Sequence, residues 1–200
     1  METAQQSKTL IIVASTRPGR VGRPIADWFF AQAASQPSGV QFELVDLADW
    51  NLPFLDEPIP PMAHTYQHDH TKRWSAKIAD ADGYIIVTPE YNHGYPAALK
   101  NALDYLYHEW AGKPVGFVGY GMGGGRLAVS QLQQVVEELQ MRPLTEQVAI
   151  TFEHDMFDEH HQLVEPDKVL AKYTGAARIL VQAMTTQSSL NKKENAYETA

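Results

Sequence analysis

"GYIIVTPEYNHGYPAALKNALDYL", residues 83–106, passes from strand to loop to helix in one stretch. "GYIIV" is short, apolar and β-branched, the mark of a strand buried on both faces. "PAALKNALDYL" has helical periodicity, with Pro96 near its first position, where a missing N–H costs nothing. Between them Pro89 ends the ladder, because proline cannot donate to it. Gly94 frees the backbone for close approach to a ligand and for positive φ. A buried strand that runs through a loop straight into a helix is half of a crossover unit.

The same unit recurs along the chain. Residues 8–14 ("KTLIIVA") read as a buried strand and 22–35 as a helix with Ile25, Trp28, Phe29 and Gln32 at helical spacing. Strands are expected at 40–49, 113–121 and 146–152, and helices at 71–81, 96–110, 125–140 and 166–184. Five strands alternating with helices imply an α/β, doubly wound parallel sheet with helices on both faces. Its expected order is the flavodoxin-like 2-1-3-4-5. Residues 51–70 hold four prolines, three histidines and little periodicity, a long loop of functional or mobile character. The chain reads as one domain over 1–184 with a disordered tail over 185–200.

Composition narrows the function. A hydrophobic fraction of 44% suits a globular protein, and no apolar run reaches the ~20 residues of a membrane helix. "METAQQSKTL" lacks the charged start and apolar segment of a signal peptide. With no cysteine there are no disulfides and no thiolate chemistry, which suits a cytoplasmic protein. A net charge of −8 speaks against non-specific nucleic-acid binding but leaves room for a local cationic pocket.

In a sheet of this order ligands sit outside the carboxyl ends of the strands, at the switch point. The loops there are "STRPGRVG" (15–22), "TPEYNHGY" (88–95) and "YGMGGGR" (120–126). The first offers hydroxyls on Ser15 and Thr16, guanidinium groups on Arg17 and Arg20, and a helix N-terminus, with Arg23 just inside. That combination attracts a phosphate monoester, although ordinary capping by Ser15 or Thr16 explains it as well. It lacks the nucleoside-triphosphate P-loop pattern. In the second loop Tyr91 and Tyr95 could lie beside an aromatic ligand or pack in a core, Asn92 could bond its own turn, and His93 could donate a proton or be structural. The third contains Gly119-x-Gly121-x-x-Gly124, but after the fourth strand and without a following acidic strand end. It therefore reads as a flexible loop near a planar ligand, with Tyr120 in reach, or as a plain turn, and not as a dinucleotide fingerprint. The histidines at 64, 68 and 70, and the group His154, Asp155, Asp158, His160, His161, match no metal-site spacing, so no metal is assigned.

"STRPGRVG", "TPEYNHGYPAALKNALDYL" and "VGYGMGGGR" together resemble the NAD(P)H-dependent FMN reductase family, which includes quinone and azo-dye reductases. The likeness covers most of residues 8–182, in order, and the 89–104 segment is the specific part. The resemblance implies bound FMN. Its phosphate would lie on Ser15, Arg17, Arg20, Val21 and Gly22. Its ring would lie along Pro89, Glu90, Tyr91, Asn92, His93 and Gly94, with Tyr120 and Gly121 beside it. It also implies NADPH or NADH as co-substrate and hydride transfer by a ping-pong route to a quinone, azo compound or free flavin. Hydride transfer needs no protein acid, so no catalytic residue is assigned and His93 is the one candidate. The rival reading is a flavodoxin-like electron carrier or redox-sensing interaction protein without turnover. The helix expected over 96–110 carries Leu103, Tyr105, Leu106, Tyr107 and Trp110, more apolar surface than one stripe needs. A homodimer or dimer of dimers is expected from that surplus.

Overall fold

A computed structural model describes residues 6–37 and 39–198, with side chains described up to residue 191. Five parallel strands, β1 (Ser7–Val13), β2 (Val40–Asp46), β3 (Gly83–Pro89), β4 (Pro114–Gly121) and β5 (Arg142–Thr151), form one sheet in the order β2-β1-β3-β4-β5. The expected topology holds. Among the described residues seven α-helices connect and cover the strands: α1 (Gly22–Ala34), α2 (Leu47–Trp50), α3 (Asp69–Ala79), α4 (Ala97–Asp104), α5 (Arg126–Glu138), α6 (Pro166–Val169) and α7 (Thr174–Glu198).

The central strands β3 and β4 are buried at every position because successive side chains alternate between two cores. Leu10, Ile12, Tyr84, Ile86 and Phe117 face Trp74, Leu103, Trp110 and Leu132 on the side of α3, α4 and α5. Ile11, Val13, Ile85, Val87 and Val118 face Ile25, Phe29, Leu180 and Met184 on the side of α1 and α7. Gly116 lets α7 close on the sheet: a Cβ there would stand 2.7 Å from Leu180 Cδ1.

Two expectations are corrected. The helix expected over 96–110 ends at Asp104, and turns follow. Leaving the helix turns Tyr105, Leu106 and Trp110 all into the core, and Trp110 Nε1 donates to the Leu103 carbonyl at 3.3 Å. Apart from the half-buried Tyr107, the surplus apolar surface inferred for that segment is thus buried within one chain, and that argument for a dimer falls. The tail expected to be disordered from Thr185 is helical in α7 as far as Glu198, residues 199–200 lying outside the described residues. Ser188 and Asn191 are buried, the first 3.3 Å from Thr9 Oγ1 and the second bonded by Arg142. The loop over 51–70 is fastened. Asn101 Nδ2 donates to the Pro53 carbonyl (2.7 Å), Asn101 Oδ1 accepts from Leu55 N (2.9 Å), and the Tyr105 hydroxyl reaches Asp56 Oδ1 (3.0 Å).

Candidate functional site

The carboxyl ends of β1, β3 and β4 surround a cavity of about 220 Å³ lined from the three loops singled out in the sequence. The first loop contributes Ser15, Arg17, Arg20 and Val21, the second Pro89, Glu90 and Tyr91, the third Tyr120, Gly121 and Met122. Phe152, just past β5, closes the far wall. Its ring lies 5.8 Å from that of Tyr120 at 34°.

The first loop ends on a helix N-terminus that no side chain caps. The opening N–H groups of α1 are therefore left for solvent or an anion. Arg17 is exposed. Arg20 pairs through Nη2 with Asp46 Oδ2 at 2.6 Å, and its Nε is buried without a partner among the described residues. An unpaired buried guanidinium N–H beside an uncapped helix start fits a phosphate monoester. Gly22 lies behind the cavity, since a Cβ on it would overlap the Tyr120 hydroxyl. Burial pushes that hydroxyl's pKa well above the usual tyrosine value, so it stays protonated.

The second loop is a tight turn. Tyr91 and Gly94 exchange both backbone hydrogen bonds, 2.8 and 2.9 Å, and Asn92 and His93 between them have φ of 48° and 67°. Two successive positive φ values make a type I′ turn. Positive φ, expected at Gly94, falls instead on Asn92 and His93. Those two form the turn tip and do not line the cavity. Gly94 leaves room for Gln131: a Cβ there would come 3.0 Å from Gln131 Oε1, and Gln131 Nε2 donates to the His93 carbonyl at 3.0 Å. The Glu90 carboxylate accepts from Leu127 N at 3.0 Å and so caps α5, whose own N-cap is Gly125. Glu90 therefore offers the cavity its backbone rather than its charge.

The glycines of the third loop serve close packing. A Cβ on Gly119 would meet the Gly124 carbonyl at 2.9 Å, and Gly121 has φ of 147°. That role is distinct from a pyrophosphate-binding turn. Tyr95, the other aromatic of the second loop, packs against the core on the α3–α5 side.

Among the described residues no group of three His, Cys, Asp or Glu could hold a metal ion, and no helix is long and apolar enough to cross a membrane. His68 and His70 stack, 5.2 Å between rings, and each contacts Asp56 within the 51–70 loop.

Sequence reasoning missed Asp46, Gln131, Met122 and Phe152. Met122 and Phe152 flank strand ends and could have been found from topology alone. Asp46 and Gln131 act through residues 26 and 38 positions away, and no local pattern marks them.

A family model described as NADPH-dependent FMN reductase matches residues 7–155. An NAD(P)H-dependent FMN reductase of Schizosaccharomyces pombe is 44% identical over 84% of this chain and 84% of its own length. A 2-hydroxy-1,4-benzoquinone reductase of Burkholderia sp is 32% identical over 80% of this chain and 87% of its own. Among solved structures, the flavoenzyme NAD(P)H:(acceptor) oxidoreductase FerB of Paracoccus denitrificans superposes with a TM-score of 0.69 at 20% identity, covering 90% of this chain and 98% of that one. At that identity the likeness shows the fold.

Proposed function

The chain belongs to the NADPH-dependent FMN reductase family, and from that membership we propose that it reduces quinones, azo compounds or free flavin with NAD(P)H by a ping-pong route. The observation that carries the site assignment is the cavity at the switch point, bounded by an uncapped helix start, Arg17 and Arg20, whose buried Nε has no partner among the described residues. FMN, when bound, supplies the hydride-accepting and hydride-donating chemistry.

The protein's part is binding and electrostatics. Ser15, Arg17, Arg20 and the first N–H groups of α1, which begins at Gly22 after Val21, would hold the phosphate. The backbone of Pro89, Glu90 and Tyr91 would meet the edge of the ring, with Tyr120 and Gly121 beside it and the Asn92–His93–Gly94 turn fixing the loop. The open side of the cleft takes nicotinamide and acceptor in turn. Among the lining residues the Glu90 carboxylate is engaged by Leu127 N, and no side chain is assigned as an acid or base. The benzoquinone reductase of Burkholderia sp supports quinones as the first acceptors to try.

We also propose a homodimer or dimer of dimers working in the cytoplasm. Its support is now the fastened 51–70 loop, which holds Phe54 85% exposed and Met62 64% exposed. Light scattering giving a monomer of 22.4 kDa at micromolar concentration would remove it.

The function is tested by steady-state NAD(P)H oxidation with a benzoquinone on protein whose flavin is identified after release. FMN with turnover is the expected result. FMN without turnover would make the protein a carrier, and absence of flavin binding would overturn the reading.

A further inference from the structure

Asp46 is the last residue of β2, 5% exposed, at the carboxyl edge of the sheet. Its Oδ1 accepts from Ala48 N at 3.1 Å. Its Oδ2 accepts from Arg20 Nη2 at 2.6 Å and lies 3.6 Å from Arg23 Nη1. A carboxylate this deep persists only when it is paired and hydrogen-bonded, and here the pairing falls to two arginines of the first loop and α1. Arg23 is also bonded to Asp27 at 2.9 Å and is half exposed. Arg20 is the inner of the two, lines the cavity, and has the unpartnered Nε.

We propose that Asp46 is a positioning residue for the phosphate subsite, holding the Arg20 fork by one edge so that its remaining donors face the cavity. This rests on the reading that the first loop takes the phosphate of FMN. A free arginine must give up much of its rotamer freedom to make a directed contact. One clamped in advance by a buried carboxylate has already done so, and its planar fork keeps the other donors in a fixed direction.

The test is equilibrium dialysis of the full-length protein against FMN and, separately, riboflavin, which lacks only the phosphate. In Asp46→Asn the Oδ1 acceptor for Ala48 remains and the charge is lost. FMN affinity is expected to fall tenfold or more while riboflavin affinity stays within twofold. If Asp46 acts through Arg20, the double variant Asp46→Asn/Arg20→Ala binds FMN no more weakly than Arg20→Ala alone. Equal loss of both flavins, unchanged FMN binding, or fully multiplicative losses in the double variant would each overturn the proposal. Should Asp46→Asn not fold, Arg20→Lys decides: it keeps a cation for the buried carboxylate but lacks the planar fork whose other nitrogens could reach the phosphate. Selective loss of FMN is then expected, and retained preference for FMN overturns the proposal. A wild-type protein that binds riboflavin as tightly as FMN would instead sink the phosphate reading itself, and this inference with it.

Discussion

The hydroxyls of Tyr91 and Ser15 lie 2.7 Å apart, joining the second loop to the first across the cavity. Ser15 is buried and Tyr91 37% exposed, so the bond sits where an entering ligand must pass. Where Ser15 is the donor in this pair, turning its proton to the phosphate of FMN gives the bond up. Tyr91→Phe is therefore expected to bind FMN as well as wild type or tighter, by at most about 1.5 kcal/mol, the range of one neutral hydrogen bond. Dialysis against FMN checks it. A large loss of affinity would show that the phenol is itself a ligand.

Arg17 is the exposed guanidinium of the first loop. Arg17→Ala is expected to weaken FMN by about 1.5–3 kcal/mol, the range for a hydrogen bond to a charged group. Riboflavin binding should hardly change. Equal loss of both would mean that Arg17 supports the loop rather than the phosphate.

Gly94 and Gln131 form one unit. Gly94→Val would push the Gln131 amide away from the His93 carbonyl. Gln131→Ala removes the same bond from the other side. Both variants are expected to weaken FMN binding, and the double variant to be less than additive, because neighbours sharing a partner couple. Additive losses would separate the two residues.

His93 has φ of 67°, a conformation that costs a residue with a Cβ roughly 1–2 kcal/mol. His93→Gly is expected to raise stability by up to about 1 kcal/mol in urea unfolding. His93→Ala is expected to keep its FMN and most of its quinone-dependent NAD(P)H oxidation. Loss of turnover by a hundredfold, about 2.7 kcal/mol of barrier, with flavin retained would make His93 a general acid.

Lys113 lies far from the cavity, at the start of β4. Its Nζ donates to the carbonyls of Ile78 (3.0 Å) and Ala79 (3.1 Å) and to the Tyr84 hydroxyl (3.1 Å). Burial lowers its pKa to about 8, while Asp82 and Glu109 pull the other way. Between that value and the unfolded lysine's ~10.4, the unfolded chain holds a proton that the folded one has released, so this group makes stability rise with pH there. The slope should approach about 1.4 kcal/mol per pH unit. Urea unfolding from pH 8 to 10 should show it in wild type and not in Lys113→Met. Identical slopes would remove the claim.

The sheet and its order were legible from residues 8–14, 83–89 and 114–121, because apolar runs and helical periodicity are local signals that a sequence carries in full. The three loops could be placed at the cavity for the same reason: topology puts strand ends together once strand order is known. Turn geometry was only half legible. Residue type predicts positive φ at Gly94, but Asn92 and His93 take it, because the Tyr91–Gly94 bond pair imposes it on whatever lies between. The long helix end was hidden by composition. "TTQSSLNKK" reads as solvated, yet Ser188 and Asn191 recur on the face of Met184 and meet Thr9 and Arg142, 179 and 49 positions away. Tertiary structure alone decided such pairs, Asp46 with Arg20 and Gln131 with His93 among them. A single polar residue has no periodicity to announce its partner, and only the folded sheet brings the two within hydrogen-bonding distance.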